Sequence, residues 1–70
     1  MDDALKKLGH SIAQLRKDRG LTQEDLAGLA EMDRSYLSEV ENGHKNISFL
    51  ALMRLAEALA TPLPHLLKNL

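Results

Sequence analysis

The chain contains no cysteine and no tryptophan, and it has only one tyrosine and one phenylalanine. The absence of cysteine excludes disulfides and thiolate metal sites, and it is compatible with a reducing cytosol. So few aromatic rings argue against a stacking platform for single-stranded nucleic acid. With 44% hydrophobic and 27% charged residues, the composition is that of a folded globular protein.

Long hydrophobic runs are also missing. The longest unbroken apolar stretch is 49–53, which is far too short to cross a bilayer. The first residues are acidic and lack an apolar core of the kind found in secretory signals. We therefore expect a cytoplasmic protein without a membrane partner.

No excess of either charge is present. Nine Lys and Arg residues oppose ten Asp and Glu residues, which gives a net charge of −1. This balance counts against nucleic-acid binding, which usually leaves a basic footprint, although a basic local face can coexist with a neutral total. Seventy residues predict one domain over 1–70 with a small core, to which self-association would add burial.

No stretch alternates between apolar and polar residues, so we expect an all-α protein without a sheet. The apolar residues of the first helix, predicted over 3–19, recur every three or four positions, and Gly20 is predicted to close it. Four more helices are marked by their starts, where Thr22 and Asp25 form a capping-box pattern and Pro62 suits a first helical position. The predicted N-terminal residues of these helices are Thr22, Asp33, Ser48 and Thr61.

The segment 21–43 contains two short predicted helices, about 22–30 and 33–42, joined by the turn Glu31-Met32-Asp33. Ala27 permits close approach of the two helices, and Met32 is placed to fill the space between them. This layout is typical of a helix-turn-helix that reads DNA.

The second of these helices has two different faces. At 100° per residue, Leu37, Val40 and Glu41 share one side. The opposite side carries short hydrogen-bonding groups suited to base edges, and an arginine stands in its first turn. An ordinary solvated helix face is the alternative interpretation. The polar residues concerned are Arg34, Ser35, Ser38, Glu39 and Asn42.

Four stretches together carry a family resemblance. They are LR at 15–16, GLTQEDLA at 20–27, SYLSEVENG at 35–43 and LMRLAEALA at 52–60. With these motifs the chain resembles the phage repressor and Cro-like (XRE-type) helix-turn-helix family. Within it, the chain is most similar to small stand-alone regulators such as restriction-modification controller proteins. The resemblance implies a compact five-helix bundle of the lambda repressor type.

The resemblance also implies roles for individual residues. Arg16 and Glu41 would form a structural ion pair, and Gln23 would anchor a phosphate and brace the reading helix. The implied base-contacting residues are Arg34, Ser35, Ser38 and Glu39. The implied backbone-contacting residues are Gln23, Tyr36, Asn42, His44, Lys45 and Asn46.

Two residues depart from the family pattern. Glu31 stands where the turn usually holds glycine, so either a left-handed glutamate costs on the order of 1 kcal/mol or the turn is altered. Glu39 brings a carboxylate to the reading face. It could accept a hydrogen bond from cytosine N4, repel phosphates at other sequences, or simply be solvated.

Nothing in the sequence indicates an enzyme. The three histidines, at 10, 44 and 65, lack metal-ligand spacing, and there is neither a nucleophile constellation nor a glycine-rich phosphate loop. We therefore expect no catalytic residue, metal, cofactor or small-molecule ligand.

The last predicted helix carries more leucine than one short core-facing side can bury. Some of these leucines should cover the core, and the remainder should mark an interface. We therefore expect a two-fold homodimer with helix five and the preceding loop at the seam. The residues concerned are Leu63, Leu66, Leu67 and Leu70.

The resulting functional hypothesis is a homodimeric transcriptional regulator. It would place the helix over 33–42 in the major groove of a palindromic duplex operator, at the nucleoid. The alternative is an antitoxin-like or coactivator-like module whose main partner is a protein.

Overall fold

The described part of the chain folds into five α-helices, as the sequence predicts. The computed structural model describes residues 3–68 and 70. Within those residues no strand forms, and no helix is both long and apolar enough to span a membrane. The helices are α1 (Asp3–Asp18), α2 (Gln23–Leu29), α3 (Arg34–Glu41), α4 (Phe49–Ala58) and α5 (Leu63–Leu67).

The first four helices end in the same way. A residue in the left-handed conformation follows the helix, and two backbone amides there donate to carbonyls of the last helical turns. This Schellman arrangement satisfies carbonyls that the helix end leaves open. Glycine occupies the left-handed position after α1 and α3, whereas Glu31 (φ 57°) and Ala60 (φ 51°) occupy it after α2 and α4. The glutamate of the turn is therefore left-handed, not accommodated by an altered turn. In each pair, one hydrogen bond joins residues five positions apart. These bonds run from Leu21 N to Arg16 O, Met32 N to Ala27 O, His44 N to Glu39 O, and Thr61 N to Ala56 O.

The starts of α2 and α4 confirm the predicted caps. The Thr22 hydroxyl accepts from the Asp25 amide at 3.0 Å, and the Asp25 carboxylate accepts from the Thr22 amide at 2.9 Å. This bond from the Thr22 backbone lowers the pKa of the Asp25 carboxyl. Ser48 Oγ accepts from the Ala51 amide at 3.1 Å. Asp33 occupies the N-cap position of α3, but its side chain makes no capping hydrogen bond.

The predicted start of helix five is wrong by one residue. Pro62 is the N-cap, and α5 begins at Leu63. Thr61 does not cap α5 because it completes the end of α4. Its amide bonds Ala56 O, its hydroxyl donates to Leu59 O at 3.0 Å, and the residue is buried.

The core lies where the inner sides of all five helices meet. Helix α1 packs on α3 and α5, α2 packs on α3 and α4, and α4 packs on α5. The two core residues of α3 are Leu37 and Val40, so only one side of that helix faces inward. The buried apolar residues are Leu8, Ile12, Leu26, Ala27, Ala30, Leu37, Val40, Leu52, Leu55, Ala56, Leu59 and Leu66.

The leucines of α5 are mostly used inside the single chain, and the seam predicted from them stays a prediction. Leu66 is only 1% exposed and belongs to the core, so it offers no surface to a second chain. Leu63 and Leu67 are half-buried against that core, and Leu70 is 53% exposed. The apolar side of α5 therefore packs on α1 and α4 and completes the core.

The apolar surplus lies instead on α4. Phe49 is 68% exposed, Leu50 57% and Met53 46%. Together with Leu63 these side chains line an open groove, which Arg54 and Glu57 also border. We call this region the α4 surface. Its exposed residues come from the run 49–53, the longest apolar stretch of the sequence, whose Leu52 faces the core.

The left-handed Ala60 predicts a stabilising substitution. Ala60→Gly should raise the free energy of unfolding by about 0.5–1 kcal/mol, because glycine carries no Cβ penalty at positive φ. The midpoint of thermal unfolding followed by circular dichroism should rise by a few degrees.

Ala13→Gly is the matched control, since it makes the same chemical change inside α1. That variant should lose about 1 kcal/mol. Equal destabilisation by both substitutions would contradict a left-handed backbone at Ala60.

Candidate nucleic-acid interface

Helices α2 and α3, with the turn between them, form the unit that the sequence predicts. Ala27 is 3% exposed, which fits a close approach of the two helices. Met32 is half-buried against the core, as predicted for the residue that fills the space between them. The left-handed Glu31 reverses the chain within the turn, so α3 begins three residues later.

The outer side of α3 is open. Arg34, Ser35 and Glu39 are exposed, and so is Asn42 at the end of the helix. Ser38 is half-buried and lies beside them. The structure therefore brings the predicted base-contacting residues onto one accessible face, with the guanidinium at its N-terminal end.

A polar cluster of Arg16, Gln23 and Glu41 holds α3 from behind. Arg16 Nε donates to Glu41 Oε2 at 2.8 Å, and Arg16 Nη2 donates to Glu41 Oε1 at 3.1 Å. Gln23 Nε2 donates to the same Oε1 at 2.9 Å. The two charged side chains are 11% and 5% exposed, respectively. One carboxylate on α3 thus joins α1 and α2, and the predicted ion pair of Arg16 with Glu41 is present.

The environment of Arg16 keeps it charged. Its hydrogen bonds to Glu41 raise the pKa of the guanidinium, and this effect outweighs the opposing effect of burial. A further bond, from Arg16 Nη1 to the carbonyl of Leu21 at 2.9 Å, ties the loop before α2 to α1. The fork geometry of arginine serves all three bonds at once.

Gln23 therefore braces α3, the second of its two implied roles. Its amide nitrogen carries two hydrogens, and Glu41 accepts only one of them. The other hydrogen is available to an outside acceptor such as a phosphate, so the two roles are compatible.

Tyr36 links α3 to the loop that follows it. Its hydroxyl accepts from the amide of Ser48 at 3.4 Å, and Lys45 Nζ lies 5.7 Å from the centre of its ring. The cation–π contact orients Lys45 beside the exposed residues His44 and Asn46. The Tyr36 hydroxyl keeps its own proton for donation.

The charges of this face are mixed. Arg34 and Lys45 carry positive charge, whereas Glu39 places a carboxylate between them along the chain. Such a face can form directed hydrogen bonds to base edges but provides only a few contacts to phosphate. The three histidines stay scattered, and among the residues the structure describes no group of acidic or histidine side chains could hold a metal ion.

Comparison with known proteins agrees with this geometry. A family model described as helix-turn-helix (HTH_3) matches residues 12–66, which is most of the chain. The chain belongs to this family of XRE-type DNA-binding transcriptional regulators.

Individual relatives are restriction-modification control proteins. The chain is 32% identical to the control protein C.MunI from Mycoplasma sp over 71 residues, which cover all of this chain and 96% of that protein. The crystal structure of the controller protein C.AhdI from Aeromonas hydrophila superposes with a TM-score of 0.91 and 40% identity, covering 93% of this chain and 98% of that one. The C.Esp1396I tetramer, solved with its natural 35 base-pair operator, gives a TM-score of 0.89 at 28% identity over 99% of this chain and 91% of that one.

Sequence reasoning missed the α4 surface as a candidate interface. The run 49–53 is the sequence signal for this surface, although its length by itself excludes only a membrane span. Three exposed apolar side chains within about one and a half turns of one helix form the kind of patch that often marks an interface.

The polar cluster generates a stability prediction. Replacing Glu41 with Gln should lower the free energy of unfolding by about 3 kcal/mol or more, because it leaves the largely buried Arg16 guanidinium without its counter-charge. Arg16→Gln should have a similar effect for the converse reason. The double variant should lose less than the sum of the two, since two amides can bond each other. Urea unfolding provides the measurement.

The control is Lys17→Gln, which removes an exposed charge from the same helix. It should change the free energy of unfolding by no more than about 0.5 kcal/mol. Additive losses in the Arg16 and Glu41 series would mean that the two side chains do not act as a pair.

Proposed function

We propose that this chain regulates transcription by binding a palindromic duplex operator sequence-specifically as a homodimer, with α3 in the major groove. The observation that carries the proposal is the outer face of α3, which is polar and exposed while the Arg16–Gln23–Glu41 cluster fixes the helix from behind. A groove about 12 Å wide admits one such helix.

The side chains divide into two groups by the contacts they suit. Arg34 at the helix tip can bridge guanine O6 and N7, and Ser35, Ser38 and Glu39 can meet neighbouring base edges. Phosphate and sugar contacts fix register without reading sequence. For these we propose Gln23, Tyr36, Asn42, His44, Lys45 and Asn46.

For the dimer, we propose the α4 surface as the seam, together with Leu63. The proposed seam then lies mainly on α4, and Leu63 is the residue that it shares with the seam predicted on α5. Arg54 and Glu57 lie three residues apart at the edge of the same groove and carry opposite charges. A two-fold axis across α4 would pair Arg54 of each copy with Glu57 of the other, which makes the surface complementary to itself. Burying Phe49 and Met53 would also enlarge a small core.

The relatives support both parts of this proposal. C.Esp1396I has been solved as a tetramer on its own operator, and it shares this fold along nearly the whole chain. A two-fold dimer would set its two reading helices about 34 Å apart, one turn of duplex. The site of action would then be the genome, that is, the nucleoid within the cytoplasm.

The α4 surface also motivates the alternative, an antitoxin-like or coactivator-like module. In that case a different protein would cover Phe49, Leu50 and Met53. Light scattering of the purified chain separates the two, because only the homodimer proposal expects twice the chain mass without an added partner.

Variants at Arg34 and Lys45 test the division of roles. Duplexes selected from a random pool supply the site. Arg34→Ala should weaken binding to the best site by about 1–3 kcal/mol and relax the preference at one base pair. Lys45→Gln should weaken all duplexes by similar factors and reduce the slope of log affinity against log salt by about one. Loss of affinity for every sequence alike in Arg34→Ala would remove that residue from base reading.

Charge placed on the α4 surface tests the dimer. Met53→Glu should yield a chain-mass monomer by size exclusion with light scattering, because the seam would have to bury an unpaired carboxylate. Leu29→Glu, which changes another exposed apolar residue on α2, should remain dimeric. A Met53→Glu protein that stays dimeric would move the seam away from α4.

A further inference from the structure

The backbone of α1 lies directly against the backbone at the C-terminal end of α3, the proposed recognition helix, and the contact on α1 is made by Gly9. The residue is buried, and a Cβ there would lie 2.5 Å from the carbonyl oxygen of Glu41 and closer still to that of Val40. Carbonyls in the last turn of a helix cannot yield independently of the helix itself. Any side chain at this position must therefore displace α3 or α1.

A second glycine, which follows α3, also allows the close approach of α3 to α1. Gly43, directly after α3, faces Lys6 on α1. A Cβ at Gly43 would lie 2.9 Å from the Cα of Lys6 and 2.8 Å from its Cγ. Gly9 and Lys6 lie one turn apart on α1, so the two contacts follow one line along that helix. The C-terminal turn of α3 and its cap are thus seated directly on the α1 backbone.

The crossing and the polar cluster hold the C-terminal turn of α3 from two points on α1. Arg16 lies two turns beyond Gly9 on α1 and holds the Glu41 side chain, whereas Gly9 sets the distance to the Glu41 backbone. Both contacts act on the C-terminal turn of α3, so together they set how far that end of the helix stands from α1. We infer that Gly9 is a positioning residue, which sets the depth of the recognition helix in the major groove without touching DNA. The inference rests on the proposed function.

Base reading is more sensitive to such a displacement than phosphate binding is. Hydrogen bonds to base edges require short distances and aligned donors, whereas attraction between Lys45 and phosphate changes slowly with distance. A shift of α3 should therefore reduce discrimination between sequences more than it reduces affinity for duplex DNA in general.

The chain offers a matched control in Gly28. It also lies within a helix, but a Cβ there would meet no atom within 4 Å. Gly9→Ala and Gly28→Ala make the same chemical change, and each removes a glycine that weakens its own helix. The difference between them isolates the contact with α3.

The experiment compares affinity for the selected operator with affinity for a scrambled duplex of equal length, at 10 °C and fixed salt. Gly28→Ala should keep the wild-type ratio within twofold. Gly9→Ala should lower the ratio at least tenfold while its affinity for the scrambled duplex changes by less than threefold. Circular dichroism and thermal unfolding accompany each measurement, so the ratio is read only where the chain is folded.

A Gly9→Ala protein that unfolds at lower temperature but keeps the wild-type ratio overturns the inference, since the crossing would then serve stability alone. If this variant is unfolded at 10 °C, Gly28→Ala and Ala60→Gly are added to the wild-type protein and to the Gly9→Ala protein, and the measurement is repeated on these two. Failure to fold in that background also overturns the inference. Wild-type protein that enriches no duplex overturns the proposed function as well, whereas wild-type binding with an unchanged ratio in Gly9→Ala overturns only the role of Gly9.

Discussion

The hydrogen-bonded ion pair between Arg16 and Glu41 is the interaction on which the remaining structure depends. Helix α3 has only eight residues, too few for an isolated helix to be stable in water. Its conformation and its position therefore come from what it contacts. Leu37 and Val40 supply apolar burial, which is not directional, whereas the carboxylate of Glu41 supplies bonds of fixed geometry to α1 and α2.

This arrangement explains how so small a core can support a precise surface. Among the residues that the structure describes, twelve apolar ones are buried, and they come from all five helices and their caps. A core of this size allows adjustment of short helices unless polar contacts restrict them. The Arg16–Gln23–Glu41 cluster restricts the position of α3, so the side chains on the exposed side of that helix are not needed for core packing. Its residues are free to be chosen for what they contact outside.

The sequence predicts the fold to a large extent because helix ends are determined locally. Several helix boundaries can be predicted from side-chain or backbone chemistry that needs no tertiary context. They are marked by Thr22 with Asp25, by Ser48 and by Gly20. Ala60 marks no boundary in this way, since alanine gives no local indication of a left-handed residue.

What the sequence could not supply depends on the path of the chain in space. Periodicity shows that α5 is apolar on one side but not which leucines reach the core, so Leu66 was assigned to a seam although it is buried. The same limit applies to Gly9, whose role appears only when the carbonyls of another helix are placed against it. For the candidate site, sequence and resemblance identified the exposed residues of α3 and the ion pair, but not the α4 surface.

The net charge of −1 has a physical consequence for a DNA-binding protein. General attraction to phosphate is weak, and Glu39 reduces it further on the reading face itself. Under the proposed function, affinity comes from correctly placed hydrogen bonds and from the two copies of the proposed dimer acting together. Both contributions favour a particular sequence over duplex DNA in general.

The most direct test of the account is a titration of the isotope-labelled chain with its selected duplex, followed by NMR. The account predicts that backbone signals of Ser35, Ser38 and Glu39 shift on binding, while the Arg16 Nε–H signal is slow to exchange with solvent both before and after. Signals that shift only along the α4 surface, or an Arg16 Nε–H that exchanges as freely as an exposed arginine, would contradict it.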